Sequence, residues 1–573
     1  MKKILTIVLS TAMILSLIAC GGGKSVTGTA KGFGGDLTVS VTFDGETIKS
    51  VDVKEHNETA GIGTIPLDSM PSQIVANQSV NLDIIAGATV TSIALLEATT
   101  NAIEKAGFNP ANYNRLVQAN LGDLKSETLD VDIVVIGAGG AGLISAIEAT
   151  LLGKSVVVVE KMAFAGGNSI KATGGMNAAE TSIQAAAGIQ DSAELFFTDT
   201  YEGGYEVANP DLVRIMAEES ADAVEWLATV GAPLAQVSFS GGASVSRIHQ
   251  PQGGAAIGAY LIKNFVAKVE ELGVDIRYNT TATKILTDSG KAVGIMANSA
   301  DTEYTINADA VIIASGGFGA NESLYAMYRE DLTGFVTTNH SGATGDGLVM
   351  AEAVGAALVD VGEIQIHPTV HQGTSIMITE SVRGDGAILV NQAGERFTNE
   401  MGTRDVVSAA EIAQDGGYAY VIFDQRLREA LAASESYISN GLTVQADTIA
   451  DLAIALNIDS ATLENTLATW NAAVASKNDS QFGRTTAMEY PLATAPFYAI
   501  QIAPGVHHTM GGVKINTETE VLTANGTVIP GLYAAGEVTG GIHGGNRIGG
   551  NAVSDFVVFG RIAGKNAAEY VSQ

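Results

Sequence analysis

Val131-Asp132-Ile133-Val134-Val135-Ile136 runs into Gly137-Ala138-Gly139-Gly140-Ala141-Gly142, and Val156-Val157-Val158-Val159-Glu160 follows. This stretch decides the fold. The first apolar run reads as a buried strand, and the glycines open a helix predicted to reach Leu152. The second apolar run is the next strand, closed by an acid. Strand, tight turn, helix, strand and acid in that order form the dinucleotide-binding fingerprint in its required context. Gly137, Gly139 and Gly142 are its glycines. Gly139 lets a pyrophosphate approach the backbone, and the helix N-terminus favours the negative charge. Glu160 is expected to hold ribose hydroxyls. Chance glycines between a strand and a helix would not supply the flanking strands and the acid together.

Working outward, the 573 residues suffice for three or four domains. Only 16% are charged and 66 are glycine, as in a buried α/β sheet. The 62 acidic and 31 basic residues give a net charge of -31, which excludes general nucleic-acid affinity. An anionic substrate then needs a local cationic pocket. Cys20 is the only cysteine, so no disulfide within the chain, cysteine-rich zinc or iron–sulfur site, or haem attachment motif is available. Any redox centre is organic or carried by another protein.

Residues 1–20 read as an export signal: Lys2 and Lys3, an apolar run from Ile4, then Leu17-Ile18-Ala19-Cys20. This resembles the bacterial lipobox, in which cleavage precedes a cysteine whose thiol is lipidated. The resemblance implies a mature chain lipid-anchored to the outer face of the cell membrane, held by the acyl chains on Cys20. Residues 21–30 are expected to be a Gly-rich tether. No later run is long and apolar enough to span a bilayer.

Residues 31–115 read as a small α+β domain. Leu37 to Phe43 alternates, Asp44-Gly45 turns, and Ile48 to Val53 alternates back, which is a hairpin signal. Ser92 to Ala106 reads as a helix stopped by Gly107. Between them, Asp83-Ile84-Ile85-Ala86-Gly87-Ala88-Thr89-Val90-Thr91-Ser92 resembles the attachment site of FMN-binding domains. There a flavin transferase joins the FMN phosphate to a threonine hydroxyl, and Thr89 is the matching residue. The family often has Ser or Thr where Ala86 stands. A turn capping a helix is the plainer reading of the same residues. Asp123 to Leu129 reads as a polar linker.

Beyond the fingerprint, residues 128–361 read as the first part of a Rossmann-like FAD-binding domain. Gly166-Gly167-Asn168-Ser169 and Ala172-Thr173-Gly174-Gly175 follow the second strand. Val311 to Gly319 is an apolar strand with a glycine turn, and Thr344-Gly345-Asp346-Gly347 is another small-residue loop. Residues 362–506 read as an inserted α+β capping domain, with strand-like pieces at 387–390 and 420–423 and a helical stretch at 460–476. Residues 507–573 return to the FAD-binding domain. They carry His507-His508-Thr509-Met510-Gly511-Gly512, Gly536-Glu537-Val538-Thr539-Gly540-Gly541 and Asn546-Arg547-Ile548-Gly549-Gly550-Asn551. Glycine lets backbone approach a flat ligand, and His and Arg beside such loops hold carboxylates.

These motifs, with Gln365-Ile366-His367-Pro368-Thr369, Ile378-Thr379-Glu380-Ser381-Val382-Arg383-Gly384, Gly394 to Glu400 and Thr403-Arg404-Asp405, resemble the flavocytochrome c-type soluble fumarate reductase family. The resemblance covers most of the chain, with an FMN-binding domain in place of a haem domain. It implies non-covalent FAD held by Gly137, Gly139, Gly142, Glu160, Lys161, Gly166, Gly167, Asn168, Ser169, Thr173, Gly174, Gly175, Gly316, Gly317, Asp346, His508, Glu537, Asn551 and Ala552. It implies a dicarboxylate held by His507 and Arg547 at one end and by His367 and Thr379 at the other, with Gly550 beside it. Hydride comes from the flavin, Arg404 donates the proton, and Glu380 and Arg383 relay its replacement. Arginine is an unusual acid, its reference pKa being above ~12, so the donor role rests on the resemblance. Sodium near loops matching Thr509, Gly511, Glu537 and Thr539 is a family feature carried mostly by backbone carbonyls; no catalytic metal is expected.

Taken singly, these residues have plainer readings. Arg404 beside Asp405 makes a surface ion pair, Glu380 and Arg383 pair along one helix face, and His367 is a hydrogen-bonded structural histidine. Together they read as an exported enzyme passing electrons from an external donor through covalent FMN on Thr89 and through FAD to fumarate. One alternative is a reductase of another α,β-unsaturated acid of urocanate, acrylate, methacrylate or cinnamate type. The other is a surface flavin electron carrier with no substrate of its own.

Overall fold

The computed structural model of the chain describes residues 24–32, 35–58, 64–82, 89–114, 125–239 and 241–573. They form two compact units, Met1–Asn120 and Leu121–Gln573.

In the first unit, strands Lys24–Lys31, Asp36–Asp44 and Thr47–Glu55 make an antiparallel sheet in that order. The middle strand buries Leu37, Val39, Val41 and Phe43, every second residue, so one face carries the core. Helix Thr89–Lys105 packs there and buries Ala94, Leu95, Ala98, Ala102 and Ile103. It ends near the expected Gly107, whose φ of +84° suits glycine. The expected hairpin is present, turning at Gly45-Glu46. The expected tether is corrected: from Lys24 the chain is an edge strand, because backbone pairing with Asp36–Asp44 orders it where its composition gives no strand signal. Helix Thr64–Asn77 was not expected, since Pro71 interrupts its pattern. Cys20 and the run from Asp83 to Ala88 lie outside the described residues. Thr89 is the first residue of its helix.

The second unit is built on a mixed eight-stranded sheet. Strand Lys125–Ile136 pairs in parallel with Thr302–Ile313 from Lys125↔Thr302 to Ile136↔Ile313, and with Val156–Val159 near its end. Val528–Ala534 joins the far side of Thr302–Ile313. The polar linker is thus also corrected: residues 125–129 extend the first strand, since pairing along Thr302–Ile313 satisfies their backbone despite polar side chains. Ile136, Val159, Ile313 and Ala534 end on the same side of the sheet. The loops that follow open a crevice at the strands' carboxyl ends, where α/β sheets bind ligands. Helix Gly140–Leu151 and the C-terminal helix Asn551–Val571 pack against each other and on the sheet.

The insertion forms a second sheet from Ile376–Met377, Ile364–His371, Phe497–Thr509, Ala419–Asp424 and Ile388–Val390, with Val444–Ala446 beside Phe497–Thr509. Both expected strand pieces and the helix Ser460–Ser476 are present. That helix buries Leu463, Leu467, Trp470 and Val474. Strand Phe497–Thr509 runs through the expected boundary at 506, so the cap returns to the FAD-binding domain without a break. No helix among the described residues is long and apolar enough to cross a membrane.

Candidate active site

The crevice is a cavity of about 750 Å³, within the range that holds a cofactor. Its floor is the fingerprint. At Gly137, with φ +101°, a Cβ would meet the Ala314 carbonyl oxygen at 2.5 Å, and at Gly142 it would meet the Gly137 oxygen at 1.9 Å. At Gly139 nothing lies closer than 3.9 Å. Two glycines thus serve packing, and the third opens onto the cavity, as a pyrophosphate requires. Glu160 accepts hydrogen bonds from the backbone N–H of Ala138 and of Met162, each at 2.8 Å. Burial pushes its pKa up against those bonds. Each oxygen keeps a second lone pair for a ribose hydroxyl.

Most other expected flavin contacts line the same cavity: Gly167, Asn168, Ser169, Thr173, Gly174, Gly175, Gly316, His508, Glu537 and Ala552. Lys161 and Asp346 also line it, paired with each other at 2.7 Å. Four residues do not line it. Gly142 and Gly166 lie in the packing behind the turn. A Cβ on Gly317 would meet Thr509 Oγ1 at 1.9 Å, so this glycine makes room for Thr509 and Glu537. The buried Asn551 donates to Thr200 Oγ1 at 3.1 Å and accepts from Asn177 at 2.7 Å, holding the C-terminal helix in place. Gly550 precedes that helix and faces the cavity with φ +93°. These residues fit FAD: an open backbone cradle, a buried acid at the ribose position and a helix N-terminus beside it.

At the cap side, one group of side chains converges. Strand Ile364–His371 places Gln365 and His367 two apart and so on one face. Helix Glu380–Gly384 supplies Glu380 and Arg383, and helix Arg404–Ile412 begins with Arg404. Arg404 donates through Nε to Glu380 Oε1 at 2.8 Å and through a terminal nitrogen to Glu380 Oε2 at 3.2 Å. Its other terminal nitrogen donates to Gln365 Oε1 at 2.7 Å. Arg383 lies 3.7 Å from Glu380 Oε1, and His367 Nε2 lies 4.0 Å from it. The surface pair of Arg404 with Asp405 does not form: Asp405 accepts from the Tyr205 hydroxyl at 2.5 Å. The helix spacing of Glu380 and Arg383 does bring them together, inside the site.

Burial opposes ionisation of Glu380. Arg404, by charge and hydrogen bond, with Arg383, outweighs it and holds the carboxyl well below the usual range. Burial, then Arg404, pushes His367 and His507 far below the usual imidazole value, so both are neutral. The Thr369 N–H points at His367 Nδ1 at 3.3 Å, which puts the ring proton on Nε2. His507 Nδ1 lies 2.7 Å from Thr338 Oγ1, and the two histidine rings are 5.1 Å apart between centroids. Burial, then Arg404, pushes Arg547 down. His367, Thr379, His507 and Arg547 all line the cavity.

Sequence reasoning missed three parts. Gln365 joins the two arginines, accepting from Arg404 and donating to the Arg547 carbonyl oxygen at 2.9 Å. Its place one strand step-pair from His367 was the available signal. Thr338 and His340 also line the cavity, from a loop with no residue pattern to mark it. His543, left open by the sequence, lies 3.2 Å from Asp555 and outside the cavity lining. Among the described residues, no group of three or more His, Cys, Asp or Glu could hold a metal ion.

A dinucleotide cradle continuous with a pocket of three arginines, two neutral histidines and a paired carboxylate defines an FAD-dependent oxidoreductase. Residues 132–553 match the FAD binding domain family and residues 32–104 the FMN-binding domain family. The chain is 45% identical over 93% of its length to an NADH:fumarate oxidoreductase of Klebsiella pneumoniae, of which it spans 57%. It is 46% identical to a fumarate reductase (cytochrome) of Shewanella frigidimarina, covering 79% of each chain. It is 37% identical to a urocanate reductase of Eggerthella lenta, covering 96% of this chain and 92% of the relative. The open conformation of a flavocytochrome c3 fumarate reductase superimposes with TM-score 0.70 at 39% identity, over 81% of this chain and 84% of that one. The chain belongs to the fumarate reductase-type family of FAD-binding flavoproteins.

Proposed function

We propose that this protein reduces fumarate to succinate. The observation that carries the reading is the convergence of Arg404, Arg547, His367 and His507 on a cavity continuous with the flavin cradle. FAD bound in that cradle supplies the hydride. Arg547 and the neutral His507 hold one carboxylate, and His367, with its proton on Nε2, and Thr379 hold the other. The cations Arg547 and Arg404 stabilise charge building on the carbon next to a carboxylate. Arg404 is fixed by Glu380 and Gln365, so a proton on its guanidinium is oriented before substrate arrives. Arg404 gives that proton to the second alkene carbon, and Arg383 refills it through Glu380. The cap side shields these steps from water.

The likeness to a urocanate reductase keeps a second reading in play, with the same mechanism on another α,β-unsaturated acid. The experiment uses flavin-loaded protein reduced with methyl viologen and offered fumarate, urocanate, acrylate, methacrylate and cinnamate separately. Turnover with fumarate alone, abolished in Arg404→Ala, is the expected result. Turnover with another acid alone replaces the substrate, and silence with all of them favours an electron carrier.

The wider reading rests on sequence signals. It is an exported chain anchored at Cys20, with FMN joined to Thr89 by a flavin transferase and electrons arriving from an external redox protein. Mass spectrometry of the mature protein tests it: an FMN adduct lost in Thr89→Ala and a lipid on Cys20 are expected. A soluble, unmodified chain refutes it.

A further inference from the structure

Helix Ala193–Gly203 runs into a tight turn, Gly204-Tyr205-Glu206, on the FAD-binding domain. Tyr205 and Glu206 both take left-handed backbone, with φ +61° and +58°. Residues other than glycine rarely accept that conformation, and two in succession call for an explanation. The turn is fixed by the N–H of Tyr205 donating to the Glu202 carbonyl oxygen and that of Glu206 donating to the Tyr201 oxygen, each at 2.9 Å. It lays the Tyr205 ring along Gly545, where a Cβ would stand 3.0 Å from the ring edge. The hydroxyl is thereby carried across to the cap.

There it donates to Asp405 Oδ2 at 2.5 Å and meets the Thr403 side chain. Those two residues flank Arg404. Asp405 Oδ1 is buried without a partner, so the carboxylate is held through Tyr205. The base of the same turn grips the loop of the other arginine. The Gly204 carbonyl oxygen accepts from the Gly545 N–H at 2.9 Å, and the Gly203 oxygen accepts from the Asn546 side chain at 3.0 Å. A Cβ on Gly544 would meet the Gly204 oxygen at 2.4 Å, so the two backbones are pressed together. Asn546 in turn accepts from Gln365 at 3.0 Å, and Gln365 accepts from Arg404 at 2.7 Å. The contacts close a ring through the turn, Asn546, Gln365, Arg404 and Asp405. Its inner half is buried, and the Tyr205–Asp405 bond closes it at the exposed rim.

Resting on the reductase reading, we propose that Tyr205 is a positioning residue for the proton donor. It ties the start of helix Arg404–Ile412 to the turn that also holds the Arg547 loop. Arg404 must reach an alkene carbon whose carboxylate is gripped by Arg547. The spacing between two elements of different domains therefore decides whether donor and substrate meet. Gln365 and Glu380 orient the guanidinium from within the site, and Tyr205 sets where its backbone begins. Tyr205 touches no substrate and moves no proton. The carboxylate grips on His507, Arg547, His367 and Thr379 do not depend on its hydroxyl, so its effect falls on turnover rather than on binding.

The test compares wild type with Tyr205→Phe, Asp405→Asn, Asp405→Ala and the double variant Tyr205→Phe with Asp405→Ala, as flavin-loaded full-length protein reduced with methyl viologen. Phenylalanine removes the hydroxyl and keeps the ring on Gly545. The expected result for Tyr205→Phe is kcat with fumarate lower by about fivefold to fiftyfold, KM within about twofold and a larger solvent deuterium isotope effect. Flavin reduction by methyl viologen stays unchanged, and the melting temperature stays within about 2 °C. Asp405→Asn, whose amide oxygen still accepts, keeps most of the rate. Asp405→Ala falls as far as Tyr205→Phe, and the double variant falls no further. Unchanged kcat and isotope effect in Tyr205→Phe overturn the proposal, as do additive losses in the double variant or a loss that tracks a lowered melting temperature. A wild type inactive with fumarate would instead overturn the reductase reading. Hydrogen exchange along helix Arg404–Ile412 then decides the tie itself: faster exchange in Tyr205→Phe supports it, and equal exchange refutes it.

Discussion

Replacing Thr338 with valine removes one hydroxyl and keeps the side chain's shape. That hydroxyl oxygen lies 2.7 Å from His507 Nδ1 and 3.3 Å from the Val506 carbonyl oxygen. It has one proton; the Val506 carbonyl oxygen already accepts from the Thr338 N–H at 2.9 Å, so we assign the hydroxyl proton to the shorter contact with Nδ1. His507 is neutral because burial and the nearby arginines push its pKa down, so a single ring proton must be placed. With Nδ1 accepting from Thr338, that proton sits on Nε2 and is available to a carboxylate. Without the hydroxyl, the ring can carry its proton on Nδ1 and turn a lone pair toward the anion. The loss is one hydrogen bond to a charged group, about 1.5–3 kcal/mol, or roughly tenfold to a hundredfold in affinity. The assay is titration of oxidised, FAD-loaded protein with succinate or fumarate, read by the flavin spectrum, with Thr338→Ser as control. Weakened binding in valine and near-normal binding in serine are expected. Equal affinity in wild type and Thr338→Val, or nitrogen NMR showing the wild-type His507 proton on Nδ1, refutes the reasoning.

Other outcomes follow from the same geometry. Gly139→Ala leaves the folded chain intact but lowers FAD occupancy, because the added methyl meets only open cavity; Gly142→Ala, aimed at the Gly137 oxygen 1.9 Å away, destabilises the domain by about 1–3 kcal/mol, and thermal melts with flavin counts separate the two. Arg404→Ala lowers kcat with fumarate by about a hundredfold or more while methyl viologen still reduces the flavin; equal rates would remove Arg404 from the chemistry. His367, His507 and His508 have folded pKa values pushed below the unfolded value of about 6.5, so the unfolded chain binds more protons as pH falls. Their contribution is fully present at pH ~8 and declines as pH falls below about 6.5. A melting temperature flat from pH 8 to 5.5 would contradict it.

The fingerprint was legible because its physics is local. Gly137 to Glu160 must turn, open a helix and end on an acid within one strand–helix–strand unit, and each demand leaves a residue type at a fixed offset. The hairpin at Asp44-Gly45 and the helix Ser460–Ser476 were legible for the same reason: periodicity and capping act within a few residues. Strand Lys24–Lys31 and residues 125–129 were not, because their order comes from partners distant in sequence, Asp36–Asp44 and Thr302–Ile313.

By itself, then, the sequence determined the dinucleotide cradle, the two flavin-domain classes and the identity of the charged residues. Only the tertiary structure decided how those charges are spent. Arg404 and Asp405 are neighbours in the chain, yet one faces Glu380 and Gln365 inside the site and the other takes a hydroxyl from Tyr205. Gln365 and Thr338 have roles that exist only once strand and loop meet beside Arg404 and His507. The physical reason is range: turns, caps and alternation are set by neighbours in sequence. Ion pairing, desolvation and the placement of a proton are set by neighbours in space, which the fold alone brings together.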